Sequence, residues 1–172
     1  MYDFIIVGAG SAGCVLAHRL SADPQHRVLL LEAGPRDWHP FIHMPAGISK
    51  LVNLKGVNWN YETEPEPRLG GRRLWWPRGR VLGGSSSINA MCYIRGHRAD
   101  YDEWAAMGNP GWDYDSVLPY FRKSECYRGS EDYFHGTTGE LGVSDLRNDH
   151  PYCAAWLQAA QQAGHRHNPD FN

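Results

Sequence analysis

"IIVGAGSAGCVLAHRLS", residues 5–21, sets three glycines (Gly8, Gly10 and Gly13) between an unbroken apolar run and a segment with helical spacing. Phe4-Ile5-Ile6-Val7 has no polar alternation, which is how a strand buried on both faces of a parallel sheet reads. After the glycines, Ala12, Val15, Leu16 and Leu20 recur at helical spacing, and Asp23-Pro24 ends the helix. Val28-Leu29-Leu30-Leu31 reads as a second buried strand. Together these form a β–α–β unit of about 30 residues, the size such a unit takes. In it, Gly8 permits the tight turn, Gly10 removes a side chain where a pyrophosphate must come close, and Gly13 lets helix and strand pack. The helix start offers free N–H groups and a partial positive charge to phosphates. Glu32 lies 24 residues after Gly8, at the end of the second strand. A carboxylate there can accept hydrogen bonds from both adenosine ribose hydroxyls and would repel a 2′-phosphate. The combination predicts a dinucleotide site, with FAD and NAD both open at this point.

Composition narrows the setting. A chain of 172 residues, 42% hydrophobic and 21% charged, reads as one globular domain with room for an appendage. A net charge of −2 gives no global pull toward nucleic acid or anionic lipid. Cys14, Cys92, Cys126 and Cys153 are scattered without a CxxC pair, which argues against a zinc ribbon and fits a reduced cytosolic protein. Met1-Tyr2-Asp3 lacks the basic start of a signal peptide, and no stretch nears the ~20 apolar residues of a membrane span.

A second glycine-rich segment, "RLGGRRLWWPRGRVLGGSSSINAMCYIRGHR" (68–98), carries seven arginines and no acid. Its plain reading is a solvated basic loop. Arginines beside Trp75 and Trp76 could also meet phosphates and stack on bases, but acids elsewhere balance the charge and no nucleic-acid fold motif is present, so no nucleic-acid partner is expected. The basic charge is instead expected to face the anionic cofactor of the first motif. Gly83-Gly84 followed by Ser85, Ser86 and Ser87 supplies small residues, backbone N–H groups and hydroxyls that can lie against a flat or anionic ligand. None of these serines sits in the GxSxG frame of a hydrolase nucleophile.

The run "GRVLGGSSSIN" (79–89), continuing to Asp102, resembles the first signature of the glucose–methanol–choline (GMC) oxidoreductases. "DFIIVGAGSAGCVLAHRLS", "VLLLEAGP", "NWNYETEPEP" and "HGTTGELGVSDL" resemble the same family in the same order, from residue 2 to 172. The likeness is greatest to its choline and acceptor-linked alcohol dehydrogenases. The resemblance implies an incomplete α/β fold. This is the N-terminal portion of a Rossmann-like FAD-binding domain, made of the β–α–β unit, a flavin-facing loop and helices. Residues 1–172 would be an N-terminal fragment, with the rest of that domain and the substrate domain absent.

The implied cofactor is FAD, held non-covalently because Ile88 stands where some relatives carry a flavin-linking histidine. By resemblance, Gly8, Gly10, Ser11, Ala12 and Gly13 form the pyrophosphate turn and Glu32 is the ribose ligand. Val81, Gly84, Asn89, Ala90, Met91 and Cys92 match the segment along the pyrophosphate and flavin ring. The implied reaction oxidises a primary alcohol, choline-like or aliphatic, to an aldehyde by hydride transfer to flavin N5, with an electron acceptor such as a quinone. The family's proton-accepting histidine lies in its C-terminal part, so no catalytic residue is assigned here. Relatives that feed the respiratory chain sit on the membrane, so a cytoplasmic protein, peripheral on the inner membrane, is expected. Two alternatives stay open: an oxygen-using oxidase of the family, and a non-catalytic dinucleotide-binding module. An open doubly wound sheet needs about five or six strands to bury its faces, so the fragment alone is expected to be poorly stable and inactive.

Elsewhere, the proline-rich residues 35–76 read as an extended excursion that covers the cofactor, contributes to an oligomer contact or is plain surface loop. Helices are expected over 97–108, over 113–125 with Pro119 near a start or kink, and over 150–164; a short strand is expected over 139–146. His165 and His167, with His135 and His150 nearby in sequence, lack a carboxylate or cysteine at ligand spacing, so no metal is expected. Trp59, Trp75, Trp76, Trp104, Trp112 and Trp156 are expected to pack, while Tyr61 and Trp76 are candidates to border the cofactor.

Overall fold

β1 (Phe4–Val7), α1 (Ser11–Ser21) and β2 (Val28–Leu31) lie where the glycine turn predicts them, in a computed structural model that describes residues 1–146 and 150–172. The chain divides into two units, Met1–Cys92 and Tyr93–Asn172.

In the first unit, β1 and β2 pair in parallel with Phe4 opposite Val28 and Val7 opposite Leu31. Gly8 turns the chain at φ +94°, and its N–H donates to the Leu31 carbonyl at 2.7 Å. A methyl on Gly13 would fall onto the Gly8 carbonyl and lie 3.4 Å from Ile6 Cγ2, so the third glycine does bring α1 down on the strand. The expectation of strands buried on both faces is corrected: Ile5 is 60% exposed and Val7 84%. Side chains alternate across a strand, and α1 covers only the face that carries Phe4 and Ile6.

The excursion over 35–76 is also more ordered than its sequence suggests. It forms short 3₁₀ turns at Pro40–His43 and Pro45–Gly47, then α2 (Ile48–Leu51). β3 (Tyr61–Glu62) pairs antiparallel with β4 (Trp75–Trp76). The extended backbone finds its partners in the second glycine segment: Arg80 N–H donates to the Val57 carbonyl at 2.8 Å, and Trp59 N–H to the Arg78 carbonyl at 2.9 Å. Leu51, Val57, Val81 and Ile88 make one buried core, with Ile42 and Leu54 against it.

In the second unit, α3 (Arg98–Ala106) opens on a capping box between His97 and Asp100. α4 (Tyr114–Ser124) opens on Asp113, whose carboxylate accepts the Ser116 N–H at 3.0 Å. Pro119 lies mid-helix rather than at a start. It is exposed, as is Asp115, whose carbonyl loses a partner to the missing N–H, so water can replace that bond. β5 (Glu125–Tyr127) and β6 (Leu141–Val143) pair in parallel. α5 (Pro151–Gln162) has no buried residue. Tyr101, Tyr114 and Leu118 form the core, with Val117 and Phe121 packed on it.

Beside that core sits a buried cluster of charge. Arg95 Nη2 meets Glu125 Oε2 at 2.9 Å, and His135 Nδ1 meets Glu125 Oε1 at 3.0 Å. The other ring nitrogen of His135 is 2.7 Å from Asp170 Oδ2. Gly136 N–H donates to Glu125 Oε2 at 3.0 Å, and Arg95 Nη1 to the Phe134 carbonyl at 2.6 Å. His150 instead caps α5, while His165 and His167 are exposed. Among the described residues no helix is long and apolar enough to cross a membrane.

Candidate functional site

The two glycine segments meet within the first unit. Gly83 N–H donates to the Ala9 carbonyl at 2.7 Å, Leu82 N–H to the Pro35 carbonyl at 2.9 Å, and the Ser11 and Ser86 hydroxyls are in hydrogen-bond contact. Gly84, at φ +58°, sits so close to the first turn that a methyl on it would lie 2.8 Å from Gly10 Cα. Only a glycine lets these two backbones approach in this way.

Their junction opens into a crevice of about 620 Å³, lined by the ends of β1 and β2, the glycine turns, and residues 59, 61 and 78. Gly8, Gly10, Glu32 and Gly84 of the expected set line it. Ser11 and Ala12 occupy the exposed first turn of α1, and Gly13 lies against the Gly8 carbonyl. The Val81 side chain is fully buried in the core, while its carbonyl accepts the Gly84 N–H at 2.7 Å. Asn89, Ala90, Met91 and Cys92 are exposed and outside the crevice lining. Met91 takes a left-handed backbone, φ +58°, held by its N–H to Asn89 Oδ1 at 2.9 Å.

Glu32 is fixed before any ligand arrives. Its Oε2 accepts the Ala9 N–H and its Oε1 the Gly34 N–H, both at 2.8 Å. Each carboxylate oxygen has a second lone pair to offer, so the side chain can brace the turn and still accept from a ribose. Glu32→Ala is expected to leave two N–H groups without their acceptor and to cost about 1–3 kcal/mol of local stability. Hydrogen exchange at Ala9 and Gly34 checks this, and unchanged protection at both amides would refute it.

Tyr61 lines the crevice as expected and Trp76 does not; Trp76 pairs across from Tyr61 with the Arg78 guanidinium 5.0 Å above its ring. Trp59, expected to pack, also lines the crevice, as does Arg78. The two rings come together across Asn60, whose left-handed backbone at φ +53° breaks the alternation of an extended chain, so no periodicity in the sequence announced the pair. Asn58, buried between them and the core, holds the segment. Its Oδ1 accepts the Asn60 and Arg78 N–H groups at 3.0 and 2.9 Å, and its Nδ2 donates to the Val52 carbonyl at 2.6 Å.

The crevice fits a dinucleotide on three counts. Space in front of Gly8 and Gly10 is open, so a side chain there would fill the cradle. α1 begins with no capping side chain and no acid in its first turn, leaving its positive end for an anion. The braced carboxylate of Glu32 stands in the same crevice.

Known proteins match the same region. A family model described as GMC oxidoreductase matches residues 2–171. An alcohol dehydrogenase [acceptor] from Pseudomonas putida is 55% identical over 173 residues, covering 100% of this chain and 31% of that protein. A mitochondrial choline dehydrogenase from Mus musculus is 53% identical over 181 residues, covering 99% of this chain and 30% of that one. The crystal structure of pyridoxine 4-oxidase from Mesorbium loti superposes with a TM-score of 0.88 at 39% identity, over 94% of this chain and 32% of its own. The chain thus spans about a third of the length of the curated relatives it matches.

Proposed function

The chain belongs to the GMC oxidoreductase family, and on that premise we propose that it is the N-terminal, FAD-holding part of an enzyme that oxidises primary alcohols, choline-like or aliphatic, to aldehydes. The observation that carries this reading is the seating of the Gly83–Gly84 turn on the Ala9–Gly10 turn, with Glu32 in the crevice between them.

In this reading Gly8 and Gly10 admit the pyrophosphate, and the N–H groups of Ser11, Ala12 and Gly13 at the start of α1 donate to it. Glu32 accepts from the adenosine ribose. Gly84 keeps the second loop close, Val81 anchors that loop in the core, and Asn89, Ala90, Met91 and Cys92 follow beside the flavin. Ile88 offers no nucleophile, so FAD is bound non-covalently. When bound, FAD supplies the hydride acceptor that no side chain can provide. The alcohol pocket and the proton acceptor are assigned to the complete protein, together with an acceptor such as a quinone and a peripheral place on the inner membrane.

The complete protein, purified, is expected to show flavin absorbance that acid precipitation releases as FAD, and to bleach under anaerobic choline or an aliphatic alcohol. A protein that carries no flavin would refute the reading. The likeness to pyridoxine 4-oxidase favours a second reading in which dioxygen is the acceptor. Rapid recolouring of the bleached enzyme in air, without added quinone, would select it.

A further inference from the structure

The basic charge of residues 68–98 does not converge on the crevice. Arg78 lines it, but Arg80 lies over the Trp59 ring, Arg95 pairs with the buried Glu125 and Arg98 with Asp115. Arg68, Arg72 and Arg73 stand apart, exposed at the turn that joins β3 to β4. We propose that this hairpin tip is the surface by which the complete protein rests on an anionic membrane; this deepens, and rests on, the peripheral membrane place proposed above.

The tip is ordered before any contact. Pro67–Leu69 makes a 3₁₀ turn whose first N–H groups are met by Glu66: its carboxylate accepts the Arg68 N–H at 3.1 Å and its carbonyl the Leu69 N–H at 3.0 Å. Gly70 and Gly71, both left-handed at φ +67° and +74°, bring the chain back, and the Glu66 carbonyl takes the Gly71 N–H at 3.0 Å. The Arg68 guanidinium has no partner among the described residues. Arg72 gives Nε to the Leu69 carbonyl at 3.2 Å, which leaves its two terminal nitrogens to offer. Arg73 meets the Thr63 carbonyl at 3.1 Å and Glu64 Oε2 at 3.5 Å, an exposed pair of little strength. Between these cations stands Leu69, 42% exposed. An aliphatic side chain set among guanidinia matches a bilayer surface, where headgroup phosphates take the cations and the acyl boundary takes the leucine. Behind the tip Trp75 and Trp76 are exposed as well, and indole rings favour the boundary between membrane and water. The net charge of −2 gives the whole chain no attraction to such a surface, so the contact is local, within a Debye length of the three arginines. A turn already folded loses little freedom on docking.

Flotation of the complete protein, flavin bound, with vesicles tests this. Vesicles of equal parts phosphatidylcholine and phosphatidylglycerol should carry it at low salt and release it at high salt, and phosphatidylcholine alone should carry far less. Arg68→Gln should weaken the partition about fivefold and Arg68→Gln with Arg72→Gln about thirtyfold. Arg68→Lys with Arg72→Lys keeps the charge and should float like the parent. Flavin content and melting temperature should stay at the parent values in all three, since these side chains are exposed. A parent that floats with anionic vesicles while both glutamine variants float equally well would overturn the inference and leave the membrane place to another surface. Equal flotation of the parent with both kinds of vesicle would overturn it too, as would a change of oligomeric state in the glutamine variants on gel filtration, which would assign the tip to a contact between copies. A parent that floats with neither would remove the membrane place itself, and the inference with it.

Discussion

Gly84→Val is expected to strip the complete protein of its flavin. Two penalties fall on this one position. Its backbone is left-handed at φ +58°, and a Cβ would stand 2.8 Å from Gly10 Cα. All the atoms it would meet are Gly10 backbone rather than a flexible side-chain end, so the second loop must lift from the first. Lifting it breaks the Gly83-to-Ala9 and Leu82-to-Pro35 bonds and widens the cradle where the pyrophosphate is gripped. A few kcal/mol lost in this way corresponds to an FAD affinity lower by on the order of 100-fold. Gly70→Val separates the two penalties. Gly70 is equally left-handed at φ +67°, but nothing lies within 4 Å of its added Cβ, so this variant should pay for its backbone alone and keep its flavin. The readout is the ratio of flavin to protein absorbance after gel filtration, followed by FAD titration of the flavin-free protein. If Gly84→Val retains flavin as Gly70→Val does, loop closure does not hold the cofactor.

The opening β–α–β unit was legible because its determinants are local: two apolar runs, three glycines and a helix stop within thirty-odd residues. Closure of the second loop on the first was not legible from periodicity. Ser11 and Ser86 are 75 positions apart, and no pattern within either loop names the other; only resemblance joined them. Burial of Ile5 and Val7 was misread for a related reason. An apolar run has the same letters whether its second face is covered or open, and here α1 covers one face only. Residues 35–76 hid their order because it consists of short 3₁₀ turns, a one-turn helix and a pair of two-residue strands, too brief to leave a periodic pattern. Trp59 was set aside as packing because its place beside Tyr61 depends on a left-handed Asn60, φ +53°, that spacing does not announce. Nor does the sequence show that these two rings face a cleft.

The buried charges of the second unit were the least legible, since His135 finds its carboxylates 10 and 35 positions away, and they carry the largest stability effect expected here. Glu125→Ala should open this unit by about 3–5 kcal/mol. It leaves the buried Arg95 and His135 without their shared anion and orphans the Gly136 N–H. Glu131→Ala removes an exposed partner from Arg122 at a similar 2.8 Å and should change little. Both ring nitrogens of His135 face carboxylates, and a neutral imidazole has only one N–H to give. Burial pulls its pKa down, but bonds to Asp170 and Glu125 outweigh this and leave it above the ordinary 6.5. Asp170 is held below the ordinary 3.8, first by the Asn172 N–H, then, against the cost of burial, by His135. A raised histidine stabilises fully below its unfolded pKa and loses that contribution as pH climbs through the folded value. A lowered aspartate stabilises above its unfolded pKa and loses that contribution as pH drops through the folded one. The pair is therefore at full strength between 3.8 and 6.5 and weakens on the alkaline side first under working conditions. Asp170 and Asn172 are tied to Arg95 through these bonds, so the Arg95 amide reports the loss. In the complete protein its hydrogen-exchange protection, corrected for intrinsic pH dependence, should fall as pH rises past the His135 pKa. His135→Gln should flatten that alkaline limb, and a limb unchanged in His135→Gln would show that the proton on this ring does not hold the segment.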